Sequence, residues 1–273
     1  MNMKTSVRYL IASGFTGFCL FPFYIIVTTS LKVEVDIFAW PPRWAFEPTL
    51  GNYYDALFVF GGRGIIKYLL NSLIVTGIST FLAVFVGSMV AYGLTRFRII
   101  GGKHLFFFIL STRFAPPVAF VVPLYLMVQR TGLLDTHLAL ILIYTSMNMS
   151  LVVWIMRGFF AEIPIEIEEA ARVDGYTRLQ IFRFVALPLV KPGLITTGIL
   201  ASIMSWNEFL IATVMTQSQA ATLPVYLAGF SGSMGLAWGP YLAVGTIAVL
   251  PIMVFTLLLQ RHLVRGLTFG AVR

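Results

Sequence analysis

Charge is what this sequence has least of. Of 273 residues, 11% are charged while 58% are hydrophobic; a soluble domain carries about 25% charged and about 45–50% apolar residues. So little polar material cannot cover a globule in water, which excludes an ordinary water-soluble enzyme and a disordered chain and leaves lipid as the main solvent. The single cysteine, Cys19, excludes an intrachain disulfide. His104, His137 and His262 are far apart, and no Cys/His group has metal-ligand spacing. A phosphate-binding G-x-x-x-x-G-K-[ST] loop is absent as well: Gly101-Gly102-Lys103-His104 lacks both the spacing and the hydroxyl. The net charge of +8 does not indicate nucleic-acid binding, because no basic stripe with interleaved aromatics exists.

What is present is a series of long apolar runs. A spanning helix needs roughly 20 mainly apolar residues. Six stretches qualify, near Tyr9–Leu31, Tyr68–Leu94, Leu105–Val128, Leu138–Met156, Leu189–Met215 and Tyr241–Leu259. They lack the period-two alternation of a membrane barrel, so the expected fold is all-α and polytopic, with six transmembrane helices. The first run follows Lys4 and Arg8 like a signal peptide, but it is too long for one and no A-x-A-like site follows, so it is expected to be retained. Lys and Arg number thirteen on the N-terminal side of this topology and five on the other, with Arg113 inside a span. That bias predicts both termini in the cytoplasm.

Two segments are expected outside. Residues 32–67 carry Pro41, Pro42, Pro48 and the pair Gly61-Gly62, with Trp and Tyr suited to an interface. Residues 216–240 contain no charge and are rich in Gly, Ser and Ala, which suits either a flexible connector or close approach to another backbone.

The cytoplasmic stretch 157–192 gathers five of the eleven acids: Glu162, Glu166, Glu168, Glu169 and Asp174. Pro164 suits a first helical position, Glu166 to Glu169 suit the positive end of the helix dipole, and Gly175 suits a C-cap. A second helix from Thr177 to Ala186 would meet Pro188. The small face of Ala170, Ala171 and Gly175 fits a groove of a partner protein, or the loop is a surface segment whose charges are merely solvated.

Glu169-Ala170-Ala171, three residues, Gly175, nine residues, then Val185-Ala186-Leu187-Pro188 resembles the EAA motif of the membrane permeases of bacterial ABC importers, with Val185 where Ile is usual. Ser205-Trp206-Asn207-Glu208-Phe209, Thr112-Arg113 before Pro116-Pro117, and the ending Arg265-Gly266-Leu267-Thr268-Phe269-Gly270-Ala271-Val272 are similar to segments of the carbohydrate-importer, maltose-type branch. The resemblance covers residues 10–273 and implies a type I ABC importer permease fold: an N-terminal part over 1–66, a permease core over 67–262 and a tail over 263–273. It implies a coupling helix in which Glu169, Ala170, Ala171, Asp174, Gly175, Leu187 and Pro188 contact an ATPase subunit. ATP and Mg would be held by that subunit, with no cofactor or metal on this chain and no catalysis by it. The implied partners are a second permease, an ATPase dimer and an extracytoplasmic solute-binding protein, in a bacterial inner membrane. The loop after span five resembles one that reaches into the binding protein, over about 222–238.

Arg113 lies about 12 Å into span three and costs about 2.5–3.5 kcal/mol there if unpaired, so it should face protein or water, as a cavity wall or bonded to carbonyls freed by Pro116 and Pro117. Glu208, with Asn207, falls about 27 Å into span five, which sets it off the level of Arg113. It reads as a pathway wall, a contact with the second permease, or a capping carboxylate. An importer for a non-carbohydrate solute and an ion-driven secondary transporter are the competing functions; the second would show paired broken helices and several buried acids, of which only Glu208 is visible.

Overall fold

The structure is a computed structural model that describes residues 3–59, 64–232 and 235–268. In order its helices are α1 (Met3–Ser30), α2 (Glu34–Ile37), α3 (Gly51–Tyr54, running into a π-helical turn at Asp55–Val59), α4 (Gly64–Arg96), α5 (Gly102–Ser111), α6 (Pro117–Arg130) and α7 (His137–Ala161). There follow α8 (Ile165–Val173), α9 (Arg178–Ile181), a π-helical turn at Phe182–Ala186, α10 (Leu187–Leu189), α11 (Lys191–Trp206), α12 (Leu210–Met215), α13 (Leu223–Ala228) and α14 (Trp238–Thr268). The all-α expectation holds; the one strand pairing among the described residues is Ser231–Gly232 antiparallel with Gly235–Leu236.

Runs of apolar side chains without charge produce α1, α4 and α7, each long and apolar enough to cross a membrane. The two other runs within residues 100–215 are not continuous helices. Span three is split between α5 and α6, where Pro116 adopts an extended conformation (φ −65°, ψ 127°) because the following Pro117 disfavours the helical region. Ser111 and Thr112 hydroxyls donate to the carbonyls of Phe108 and Ile109, both at 2.7 Å, and so satisfy part of the open end of α5. Span five is split at residues 207–209. Asn207 Nδ2 donates to the Ile203 carbonyl (2.8 Å), and Glu208 Oε1 accepts from the Ile211 amide (2.9 Å). Side chains thus serve the Ile109 carbonyl and the Ile211 amide, while the Phe108 and Ile203 carbonyls also keep backbone bonds from Thr112 and Asn207, and partners of this kind let a break be tolerated at membrane depth.

The chain divides into two units. One comprises Met1–Leu69 and Tyr226–Pro251. In it Asn52 Nδ2 donates to the carbonyls of Ser30 and Lys32, Tyr53 shares a hydrogen bond with Ser30, and Tyr226 stacks on Tyr68 while its hydroxyl donates to the Ala56 carbonyl. The other comprises Leu70–Val225 and Ile252–Arg273 and contains two cores. Tyr92, Val152, Met156, Phe160, Phe182 and Ala186 build one; Val75, Leu140, Tyr144, Ile211 and Met215 build the other. Small residues set the helix spacing: a Cβ on Gly193 would lie 2.5 Å from the Phe159 ring, and one on Gly87 would lie 2.6 Å from Val152. Gly158, also helical, has open space at that position.

Gly193→Val is therefore expected to lower stability by about 1–3 kcal/mol through overpacking. Gly158→Ala should leave stability within about 0.5 kcal/mol of the parent or raise it. Thermal unfolding of the purified chain in detergent distinguishes the two.

Candidate functional site

The segment after α7 forms a helical hairpin. Pro164 is not the first helical residue but the one before it, extended at ψ 134°. α8 then carries Glu166 and Glu168 in its first turn, where the dipole favours them. The helix ends in a Schellman motif: the Tyr176 amide donates to the Ala171 carbonyl (3.0 Å) and the Gly175 amide to that of Arg172 (3.1 Å), with Gly175 at φ +89°. Thr177 and Gln180 form a capping box that starts α9. The second limb outruns the expected end at Ala186: it continues through Pro188 in the first turn of α10, where a missing N–H is harmless, and meets α11 at a 79° bend.

Adjacent acids in α8 have opposite surroundings. Glu169, Ala170, Asp174 and Gly175 are exposed, whereas Ala171 is buried, so the expected contact set is not one face. Leu187 is half-buried and Pro188 exposed, at the start of α10. Glu168 is buried at 6% exposure. Its Oε1 accepts from Arg96 Nε (2.7 Å) and its Oε2 from the Tyr92 hydroxyl (2.7 Å), while Arg96 also donates to the Ile163 carbonyl (2.8 Å). The second limb rests on the same end of α4: Arg178 lies 4.7 Å over the Phe97 ring, and Phe182 lies 5.0 Å from Tyr92. A buried ion pair of this kind is weak evidence for added stability, but breaking it leaves an uncompensated charge. Reading the sequence assigned Glu168 only to the first turn; its partner lies 72 residues away, and no local signal marks it. Also missed is Val173, 88% exposed, which with Leu179 makes the hairpin tip apolar.

The two breaks in the spans face one cavity of about 300 Å³ lined by Arg113, Pro117, Tyr144, Met147, Asn148, Met204, Ser205 and Glu208. Arg113 and Glu208, set at different levels by a rise of 1.5 Å per residue along unbroken helices, thus share one cavity. The two form no ion pair with each other: Arg113 reaches the Met204 sulfur (3.2 Å), and Glu208 caps α12. Asn148 Nδ2 donates to Ser205 Oγ (2.8 Å) on the wall, whereas Pro116 and Asn207 are not among the lining residues.

Asp135, which drew no attention in the sequence, has the one positive φ (56°) among described non-glycine residues. Its carboxylate accepts from the amides of Gln217, Ser218, Gln219 and Ala220 at 2.9–3.1 Å. Desolvation pushes its pKa up, but the amides of Ala220, Gln219, Gln217 and Ser218 outweigh this and hold it at about 2 instead of 3.8. A depressed folded pKa means the stabilisation is present above the ordinary carboxylate value and is lost only as pH falls from 3.8 through about 2. Among the described residues no group of three or more His, Cys, Asp or Glu is placed to hold a metal ion. Residues 269–272 of the C-terminal segment lie outside the described residues.

Removing one member of the buried pair leaves the other uncompensated. Arg96→Met alone is expected to cost about 3–5 kcal/mol, and Arg96→Met with Glu168→Met substantially less than the sum of the single changes. A double-mutant cycle by thermal unfolding checks this, and additive effects would contradict it.

Comparison with known proteins fits this geometry. Residues 83–269 match the family described as binding-protein-dependent transport system inner membrane component. A probable ABC transporter permease protein, y4oR of Sinorhizobium fredii, is 37% identical over 254 residues, covering 93% of this chain and 90% of that protein. The melibiose/raffinose/stachyose import permease protein MelC of Bacillus subtilis is 35% identical over 254 residues, covering 92% of this chain and 91% of that one. A chain in the crystal structure of a bacterial ABC transporter involved in import of the acidic polysaccharide alginate superposes with TM-score 0.77 at 22% identity, over 95% of this chain and 96% of that one. Similarity of this extent, on a multi-pass helical chain whose hairpin carries the EAA residues, means that the chain belongs to the inner membrane component family of binding-protein-dependent transport systems, the ABC transporter permeases.

Proposed function

We propose that this chain is one permease half of an ATP-driven importer for a sugar, oligosaccharide or polyol. It would pair with a second permease, an ATPase dimer and an extracytoplasmic binding protein, with both termini in the cytoplasm. ATP and Mg would reside on the ATPase, and this chain would neither hydrolyse nucleotide nor hold a cofactor. The carbohydrate class rests on full-length relatives such as MelC, named for oligosaccharide import. Arg113, Pro117 and Glu208, around the cavity between the broken spans, are proposed to line the pathway or the contact with the second permease, with Pro116 and Asn207 shaping the breaks.

The observation that carries the coupling role is the division of labour in α8. Glu168 and Ala171 hold the helix to its own chain, which leaves Glu169, Ala170, Val173, Asp174 and Gly175 exposed for a partner. An apolar, smooth tip with charge at its edge suits a groove in another protein. ATP-driven movement of that groove would displace the hairpin, and differential contacts in the two states supply the coupling.

Gly175→Leu tests this. Nothing lies within 4 Å of a Cβ built there, so bulk is free in the isolated chain and would obstruct only a partner. The positive φ adds strain, which Gly175→Asn imposes with less of it and little bulk. The leucine variant is expected to lose ATPase co-purification and uptake, while the asparagine variant keeps both in part. Survival of both activities in the leucine variant would sink the coupling-helix assignment.

A further inference from the structure

The loop that follows span five begins with a segment gripped from three directions. The Asp135 amide donates to the Met215 carbonyl (2.9 Å), and its carboxylate collects the four successive amides of residues 217–220. Asn71 Nδ2 donates to the carbonyls of Gln219 and Ala221, both at 2.8 Å, and Asn71 Oδ1 is itself bonded to His137 Nε2 (2.7 Å). The Leu223 amide donates to Ser72 Oγ (2.8 Å). Successive amides converging on one point make an anion-binding concavity, here filled by the chain's own carboxylate.

Connecting segments usually bond water and move. This one is denied that freedom by Asp135, which adopts a left-handed conformation rare for L residues, to reach it. Ala220 to Leu223 are buried, while Gln217, Ser218 and Gln219 stay exposed along a fixed backbone. A rigid exposed turn at the foot of a loop lowers the ordering cost of binding a partner there.

We propose that Asp135 is a positioning residue that pre-forms the root of the loop after span five for docking of the extracytoplasmic binding protein. This rests on the importer reading above. Asn71 and His137 complete the clasp, and the exposed turn 217–219 is presented in one conformation before the partner arrives.

The test uses the whole complex in lipid nanodiscs. ATPase activity is titrated with the binding protein, previously saturated with a mixture of melibiose, raffinose, trehalose and maltose. For Asp135→Ala, the half-saturating concentration of binding protein should rise at least about tenfold, since several backbone residues must then be ordered on docking. The maximal rate and the activity without binding protein should not change. Asp135→Asn, which keeps one accepting oxygen, should fall between. A merely structural role would lower complex yield or maximal rate and leave half-saturation where it was, and that result overturns the proposal. If Asp135→Ala fails to assemble, the same split in Asp135→Asn decides. If the unaltered complex is not stimulated by binding protein at all, the importer reading falls and this one with it; stimulation that is indifferent to Asp135 removes this one alone.

Discussion

The placement of the helical hairpin in this chain depends on one buried ion pair. α4 is 33 residues long, more than the roughly 20 needed to cross a bilayer, and Arg96 is its last residue. Glu168 meets it there at 2.7 Å, with side-chain exposures of 10% and 7%. Neither charge could be left in that place alone. Each has a second hydrogen-bond partner, Tyr92 for Glu168 and the Ile163 carbonyl for Arg96. The pair therefore dictates which way α8 faces, and that orientation exposes Glu169 and Ala170 while Ala171 is buried. Phe182 of the second limb and Phe160 of α7 pack around Tyr92 at the same place.

A second constraint comes from lipid itself. Backbone groups without partners are costly in hydrocarbon, so a span can break only where side chains or a cavity take over. Both breaks obey this. Ser111, Thr112, Asn207 and Glu208 serve the freed ends, and both breaks open on the cavity lined by Arg113 and Glu208. Two charged residues that looked anomalous inside apolar runs are thus placed where the helices stop being helices.

Much of the fold was legible from apolar runs because hydropathy reports length and environment directly: α1, α4 and α7 coincide with the expected spans to within a few residues at most ends. The Schellman end at Gly175 was legible for a local reason, since only a residue tolerant of positive φ closes that motif easily. What was hidden is non-local. Glu168 and Glu169 are neighbours in sequence, and only Arg96, far along the chain, decides which is structural. Asp135 gives no local sign of binding amides 82 to 85 residues away. The break at Asn207 lacks the proline that announces the one at Pro116, so only its two polar residues mark it.

The bend at Val190 has a mechanical meaning. Residues 178–189 and 191–206 meet at 79° about Val190, which is buried. At about 1.5 Å rise per residue the arms are roughly 18 Å and 24 Å long. Two stiff arms joined near a right angle at a held pivot form a bell crank: displacement of the end of one arm turns the other through the same angle, with comparable throw. A shift of one ångström at the hairpin would then swing the far end of α11, where span five breaks beside the cavity, by a little more than that. The far end of α11 would follow the hairpin without any helix having to unwind.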